Sequence, residues 1–129
     1  IAALTGKPIS IYGDGKQVRD ILFVDDLCDA YDAAFQNISQ VKGQIFNIGG
    51  GRKNTISVWH EFKPILERLL GGEVKHTFGD WRPGDQPVFI SDIRKAQRML
   101  DWTPRVDVEE GISELFHWVK DNLSLFQTP

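Results

Sequence analysis

Apolar positions recur along the chain at two spacings, and each spacing predicts an element. Ile9-Ser10-Ile11-Tyr12 alternates apolar and polar and is closed by Gly13-Asp14-Gly15, which predicts a short strand and a glycine turn. Before it, the apolar Ile1-Ala2-Ala3-Leu4 is followed by Gly6 and Pro8. That is the pattern of a helix end, because glycine is favoured at a helix C-terminus and proline blocks continuation. A helix tail without a start implies a further N-terminal part. A second extended stretch, Ile21 to Val24, runs into Asp25-Asp26, where a carboxylate can cap the amides of a following helix. From Leu27 to Asn37, the residues Leu27, Tyr31, Ala34 and Phe35 fall on one face, predicting an amphipathic helix.

Gln44 to Ile48 is β-branched and aromatic between Lys42-Gly43 and three glycines, which predicts a buried strand ending in a permissive turn. Ser57 caps a helix whose core stripe is Val58, Phe62, Ile65, Leu66 and Leu69, and Pro64 should kink or delay it. Glu73 to Phe78 predicts a strand. Asp92 caps a short helix to Leu100, and Val108 to Leu123 carries Ile112, Leu115, Phe116 and Val119 at helical spacing. The fold class is α/β, a small mixed domain of short strands and about four helices, with too few strands for a complete doubly wound sheet.

Composition narrows the function classes. With 129 residues, 41% hydrophobic and a net charge of -3, the chain can bury a core and is no disordered segment. The length fits one domain. No apolar run approaches the ~18 residues of a membrane span, and the N-terminus has no basic-then-apolar signal pattern. Basic residues are scattered, so no nucleic-acid surface is expected. The single Cys28 fits a reducing compartment, with the cytoplasm as the expected location, and one Cys and three His offer no zinc-type ligand set.

Two segments carry more character than a loop needs. Gly13-Asp14-Gly15-Lys16-Gln17-Val18-Arg19-Asp20 joins glycines, which let amides approach an anion, to an arginine whose planar fork suits phosphate oxygens. It is neither a dinucleotide fingerprint nor a P-loop. Spacing alone favours the plainer alternative, a hairpin turn with Arg19 paired to Asp20 or Asp25. Arg82-Pro83-Gly84-Asp85 is a turn that presents Arg82 toward a cleft with Asp85 as hydrogen-bonding support, or else a surface turn with an exposed salt bridge. As a pair, Arg19 and Arg82 would bracket a diphosphate. Tyr12 is placed to stack on a base, although a Tyr at a strand end more often packs at a core or rim. Asn47 and Gly49 to Gly51 form a polar strand end suited chiefly to holding a turn, and Trp81, Trp102 and Trp118 suit packing. No triad or paired carboxylates are found, so no catalytic residue is assigned.

The run YGDGKQVRDILFVDDL from Tyr12 to Leu27 resembles the opening of the C-terminal part of the extended short-chain dehydrogenase/reductases, the nucleotide-sugar epimerases and dehydratases. The Ile45-Phe46-Asn47-Ile48-Gly49 segment, the R-x-G-D of Arg82 to Asp85, the Asp92-Ile93-Arg94-Lys95-Ala96 helix start and Leu100-Asp101-Trp102-Thr103-Pro104 resemble the same family in order and spacing. Around Arg19 and after Asn47 the wording most resembles the CDP-tyvelose and CDP-paratose epimerases. The resemblance implies a substrate-binding C-terminal domain over residues 1–129, with the NAD-binding Rossmann domain and its Y-x-x-x-K pair absent. Tyr12 and Lys16 match that pair formally, but glycines fill the gap between them, and Tyr31 has Phe35 where the Lys would be.

By the same resemblance Tyr12 contacts the base and Arg19 and Arg82 the phosphates. Asp85 supports them, and Gln17 and Phe89 complete the substrate-binding set. Phe23 stands where many relatives have His and Phe89 where some have Tyr. The implied partner is a nucleotide diphosphate sugar, NAD is the cofactor of the full-length enzyme with none bound by this chain, and the full-length enzyme is a homodimer. The isolated chain is then inactive and exposes an apolar face. A non-catalytic binding or RNA-associated module is the alternative, disfavoured for RNA by the charge of -3.

Overall fold

The computed structural model describes residues 1–126. In chain order the elements are β1 (Ile9–Tyr12), β2 (Val18–Asp20), α1 (Val24–Gln36), α2 (Ile38–Val41), β3 (Thr55–Ser57), α3 (Phe62–Leu70), β4 (His76–Gly79), β5 (Val88–Phe89), α4 (Arg94–Leu100) and α5 (Val108–Asp121), with one-turn 3-10 helices at Arg52–Asn54 and Leu123–Phe126. The mixed α/β class of short strands and helices stands as expected, with five α-helices among the described residues. They divide into two compact units. The first comprises Ile1–Gln17, Ser57–Val88 and the segment from Glu109, and the second comprises Val18–Ile56 and Phe89–Val108.

In the first unit β1 and β4 pair in parallel, with Ile9 opposite His76 and Tyr12 opposite Gly79. Ile11, Trp59, Leu66, Val74 and Phe116 form the core. Ser57 does not cap the helix as expected: it closes the turn ahead of it, its Oγ accepting the Glu61 amide at 2.9 Å while its own amide donates to the Glu61 carboxylate at 2.6 Å. Ser57 holds the Glu61 carboxyl below its usual range, chiefly by the bond from its amide and next by its side chain. The helix itself starts only at Phe62, and no side chain caps it at Glu61. Pro64 thus falls in the first turn, where a helical amide has no intrahelical acceptor to lose. It delays the helix without kinking it. On α5 the stripe shifts from expectation: Phe116 and Val119 are buried, but Leu115 is exposed. Residues 1–6 form turns, not an assigned helix, yet they leave as helices do. The Lys7 amide reaches the Ala2 carbonyl at 3.0 Å and the Gly6 amide that of Ala3 at 3.3 Å, with Gly6 at φ +68°.

In the second unit three short strands pair in the order β3-β2-β5, and Ala30, Val41, Ile93, Ala96, Leu100 and Trp102 form the core. Several expectations fail here. The extended stretch lies at Val18–Asp20, three residues before its expected place at Ile21 to Val24. The Ile21 amide instead bonds to the Asn54 carbonyl and the Asp20 carboxylate to the Gly51 amide, each at 2.9 Å. Helix α1 begins at Val24, so Asp25 and Asp26 sit inside its first turn and cap nothing there. Its buried line runs through Asp26 and Ala30, while Tyr31 is 71% and Phe35 75% exposed. Buried Asp26 takes the place on that face which apolar spacing alone gives to Tyr31 and Phe35. Gln44 to Ile48 is no buried strand: it is unpaired, and only Phe46 and Ile48 lean on the core while Ile45 is 85% exposed. Residue type favours a strand there, but no neighbour supplies ladder bonds.

Candidate functional site

The parallel register of β1 and β4 brings together residues about seventy positions apart in sequence. With Tyr12 opposite Gly79, and the Gly13 amide bonded to the Gly79 carbonyl at 2.9 Å, the chain after β4 passes beside the glycine turn. Trp81 lies over Gly13, where a Cβ would come within 2.8 Å of its indole. One residue on, the Arg82 guanidinium stacks 3.9 Å from the centroid of the Tyr12 ring. Such cation–π contacts contribute about 0.5–1 kcal/mol at exposed sites. Arg82-Pro83-Gly84-Asp85 is a type II turn: Gly84 has φ +81° and the Asp85 amide donates to the Arg82 carbonyl at 3.1 Å. The arginine is thereby fixed at the start of a tight loop.

Gln17 holds the other side of Tyr12. It is buried to 3% exposure, and its Nε2 donates to the Tyr12 carbonyl at 2.6 Å. Its Oε1 and the Trp59 Nε1, both buried, have no hydrogen-bond partner among the described residues. The glycines of the turn serve packing more than anion approach. Gly15 has φ +74°, and a Cβ there would lie 2.7 Å from that of Trp59. The Lys16 amide is already taken by the Asp14 carboxylate at 3.0 Å. Tyr12 on a strand and Lys16 beyond a turn are not a helical pair, so the formal Y-x-x-x-K match lacks catalytic geometry.

The first unit thus gathers Tyr12, Gln17, Arg82 and Asp85. Arg19 and Phe89 belong to the second, on the adjacent strands β2 and β5. Arg19 Nη1 donates to the Val18 carbonyl at 2.8 Å, and Phe89 is half-exposed. Trp81, expected from the sequence to pack, does so over Gly13, a partner the sequence did not name.

The glycine-rich turn at Gly49 to Gly51 does not have the form of a dinucleotide cradle. Gly49 to Gly51 lead into a 3-10 turn and not a helix, and the space a cradle would need is filled. A Cβ on Gly50 would collide with the Ile21 carbonyl, and one on Gly51 would lie 2.8 Å from Ile93. Among the described residues no three His, Cys, Asp or Glu side chains gather as a metal-ligand group, and no helix is long and apolar enough to cross a membrane.

Residues 1–115 match the model of the family described as GDP-mannose 4,6 dehydratase. The chain is 38% identical over 112 residues to a CDP-paratose 2-epimerase of Salmonella typhi, covering 87% of this chain and 33% of that protein. To a UDP-glucuronate 4-epimerase of Thermodesulfobacterium geofontis it is 37% identical over 122 residues, covering 95% of this chain and 36% of the other. One percentage point between them does not select a sugar. The crystal structure of UDP-glucuronic acid 4-epimerase from Bacillus cereus in complex with UDP-glucuronic acid and NAD matches with a TM-score of 0.85 at 30% identity, over 94% of this chain and 38% of that one. The chain spans about a third of the length of the curated relatives it matches.

Proposed function

The chain belongs to the GDP-mannose 4,6 dehydratase family, and from that premise we propose that it is the part of an NAD-dependent nucleotide-sugar epimerase or dehydratase that binds the nucleotide diphosphate sugar. The observation that carries this reading is the stacking of Arg82 on Tyr12 beside a type II turn. It pairs a flat aromatic surface, which suits a base, with a guanidinium, which suits a phosphate. The family resemblance makes Arg19, on β2 of the second unit, a further phosphate-ligand candidate. Asp85 supports the site as a hydrogen-bond acceptor.

On this reading the chain binds and orients, while hydride and proton transfer belong to a Rossmann domain that the described residues do not form. NAD, when bound there, supplies the hydride acceptor. Titration of UDP-, CDP- and dTDP-sugars into the purified chain by calorimetry tests it. Saturable binding of at least one nucleotide sugar, weakened by Tyr12→Ala and by Arg82→Ala, is expected, with no turnover when NAD is added. Turnover by the chain would overturn the division of labour, and absence of binding to every nucleotide sugar would overturn the site.

A further inference from the structure

The second unit holds a cleft of about 760 Å³ whose lining includes none of the six substrate-binding residues assigned above. Four cations line it, Arg52, Lys53, Arg94 and Arg105, against two carboxylates, Asp92 and Asp107, in a chain whose net charge is -3. The cations are not equally committed. Arg94 is held by Asp92 through two contacts, Nε to Oδ1 at 2.8 Å and Nη2 to Oδ2 at 2.5 Å. Arg105 reaches Asp29 only at 3.7 Å, with both side chains largely exposed. Such a pair is loose and readily exchanged. Arg52 and Lys53 make no ion pair among the described residues, although Arg52 is near enough for its charge to act on Asp92.

The walls of this cleft are tied together by buried groups. Asn54, next to Lys53 and only 8% exposed, donates from Nδ2 to the Val106 carbonyl at 2.9 Å. The Asp26 carboxylate, 2% exposed, accepts the amides of Arg105 and Val106 at 2.8 and 3.1 Å. The Asn54–Val106 bond therefore ties the turn carrying Arg52 and Lys53 to the loop carrying Arg105, and both segments line the one cleft. A lone carboxylate would satisfy one wall. Two linked phosphoryl groups offer acceptors to both, and the volume lies within the range of small-molecule sites.

We propose that this cleft is a second anion site, carried by the Arg52–Lys53 turn and Arg105, that takes a small molecule bearing two or more linked phosphoryl groups. It stands independently of the nucleotide-sugar reading. The probe is inorganic pyrophosphate, titrated calorimetrically into the wild-type chain, into Arg52→Ala/Lys53→Ala and into Arg19→Ala/Arg82→Ala. Saturable binding is expected for the wild type, weakened about tenfold or more by the first double substitution and kept by the second. Thermal melts of the first variant should match wild type, since both side chains are exposed. Unchanged affinity in Arg52→Ala/Lys53→Ala, or no saturable binding to the wild type, overturns the proposal. Loss of all binding in Arg19→Ala/Arg82→Ala alone also overturns it, and places the pyrophosphate at the nucleotide-sugar site instead.

Discussion

The indole N–H of Trp102 donates to the backbone carbonyl of Asp26 at 2.9 Å, seventy-six residues away, while the same aspartate's carboxylate takes the amides of Arg105 and Val106. One buried acidic residue in the first turn of α1 thus fastens the whole segment that follows α4. Removing the carboxylate leaves two amide donors inside the fold without acceptors. Asp26→Ala should therefore cost about 3 kcal/mol, the scale of bonds to a charged group, in urea unfolding. Trp102→Phe keeps the ring and loses one donor, so a smaller loss of about 1 kcal/mol is expected. Equal losses for both would show that packing and not the carboxylate holds the segment.

Gly15 combines a positive φ of +74° with a would-be Cβ 2.7 Å from that of Trp59. Gly15→Ala should lower stability by about 1–3 kcal/mol, the scale of a residue forced into a sparsely populated backbone region. Gly72 faces open space. Gly72→Ala should stay within about 0.5 kcal/mol of wild type in the same thermal unfolding series.

If the proposed function holds, Arg82→Ala and Arg19→Ala should each weaken nucleotide-sugar binding by about 1.5–3 kcal/mol, the range of bonds to charged groups. Lysine should restore only part, because the charge returns without the planar fork. Two arginines in unrelated surface contacts would lose at most about 1 kcal/mol each. Tyr12→Phe keeps the stacked ring and should bind nearly as wild type, whereas Tyr12→Ala should not.

Asp92 is held down to about 2, chiefly by its side-chain hydrogen bonds to Arg94 and next by the Arg94 amide, with the charge of Arg52 adding to them. Because the folded value lies below the unfolded one, the pair stabilises the fold above the ordinary carboxylate range and that contribution is lost as pH falls toward 2. Carboxyl carbon NMR should show Asp92 titrating near 2 on acidification. Arg94→Ala should return it to about 3.9, the ordinary value for aspartate.

The elements legible in the sequence are those whose cause is local. Alternation wrote β1 at Ile9–Tyr12, helical spacing wrote α3 and α5, and Pro83-Gly84 wrote a turn whose type the sequence left open, because each depends on neighbours a few residues away. The motif around Arg19 and Arg82 likewise pointed to the family that the comparisons show. What the tertiary structure alone decided depends on partners far along the chain. Gln44 to Ile48 has the composition of a strand, but a strand is made by the neighbour that bonds it, and composition does not state that neighbour. Asp26 looks like a helix cap until the loop at Arg105 arrives to take its carboxylate. The register that sets Tyr12 opposite Gly79, and so brings Arg82 onto its ring, is a property of two strands packed together. Neither strand contains it alone.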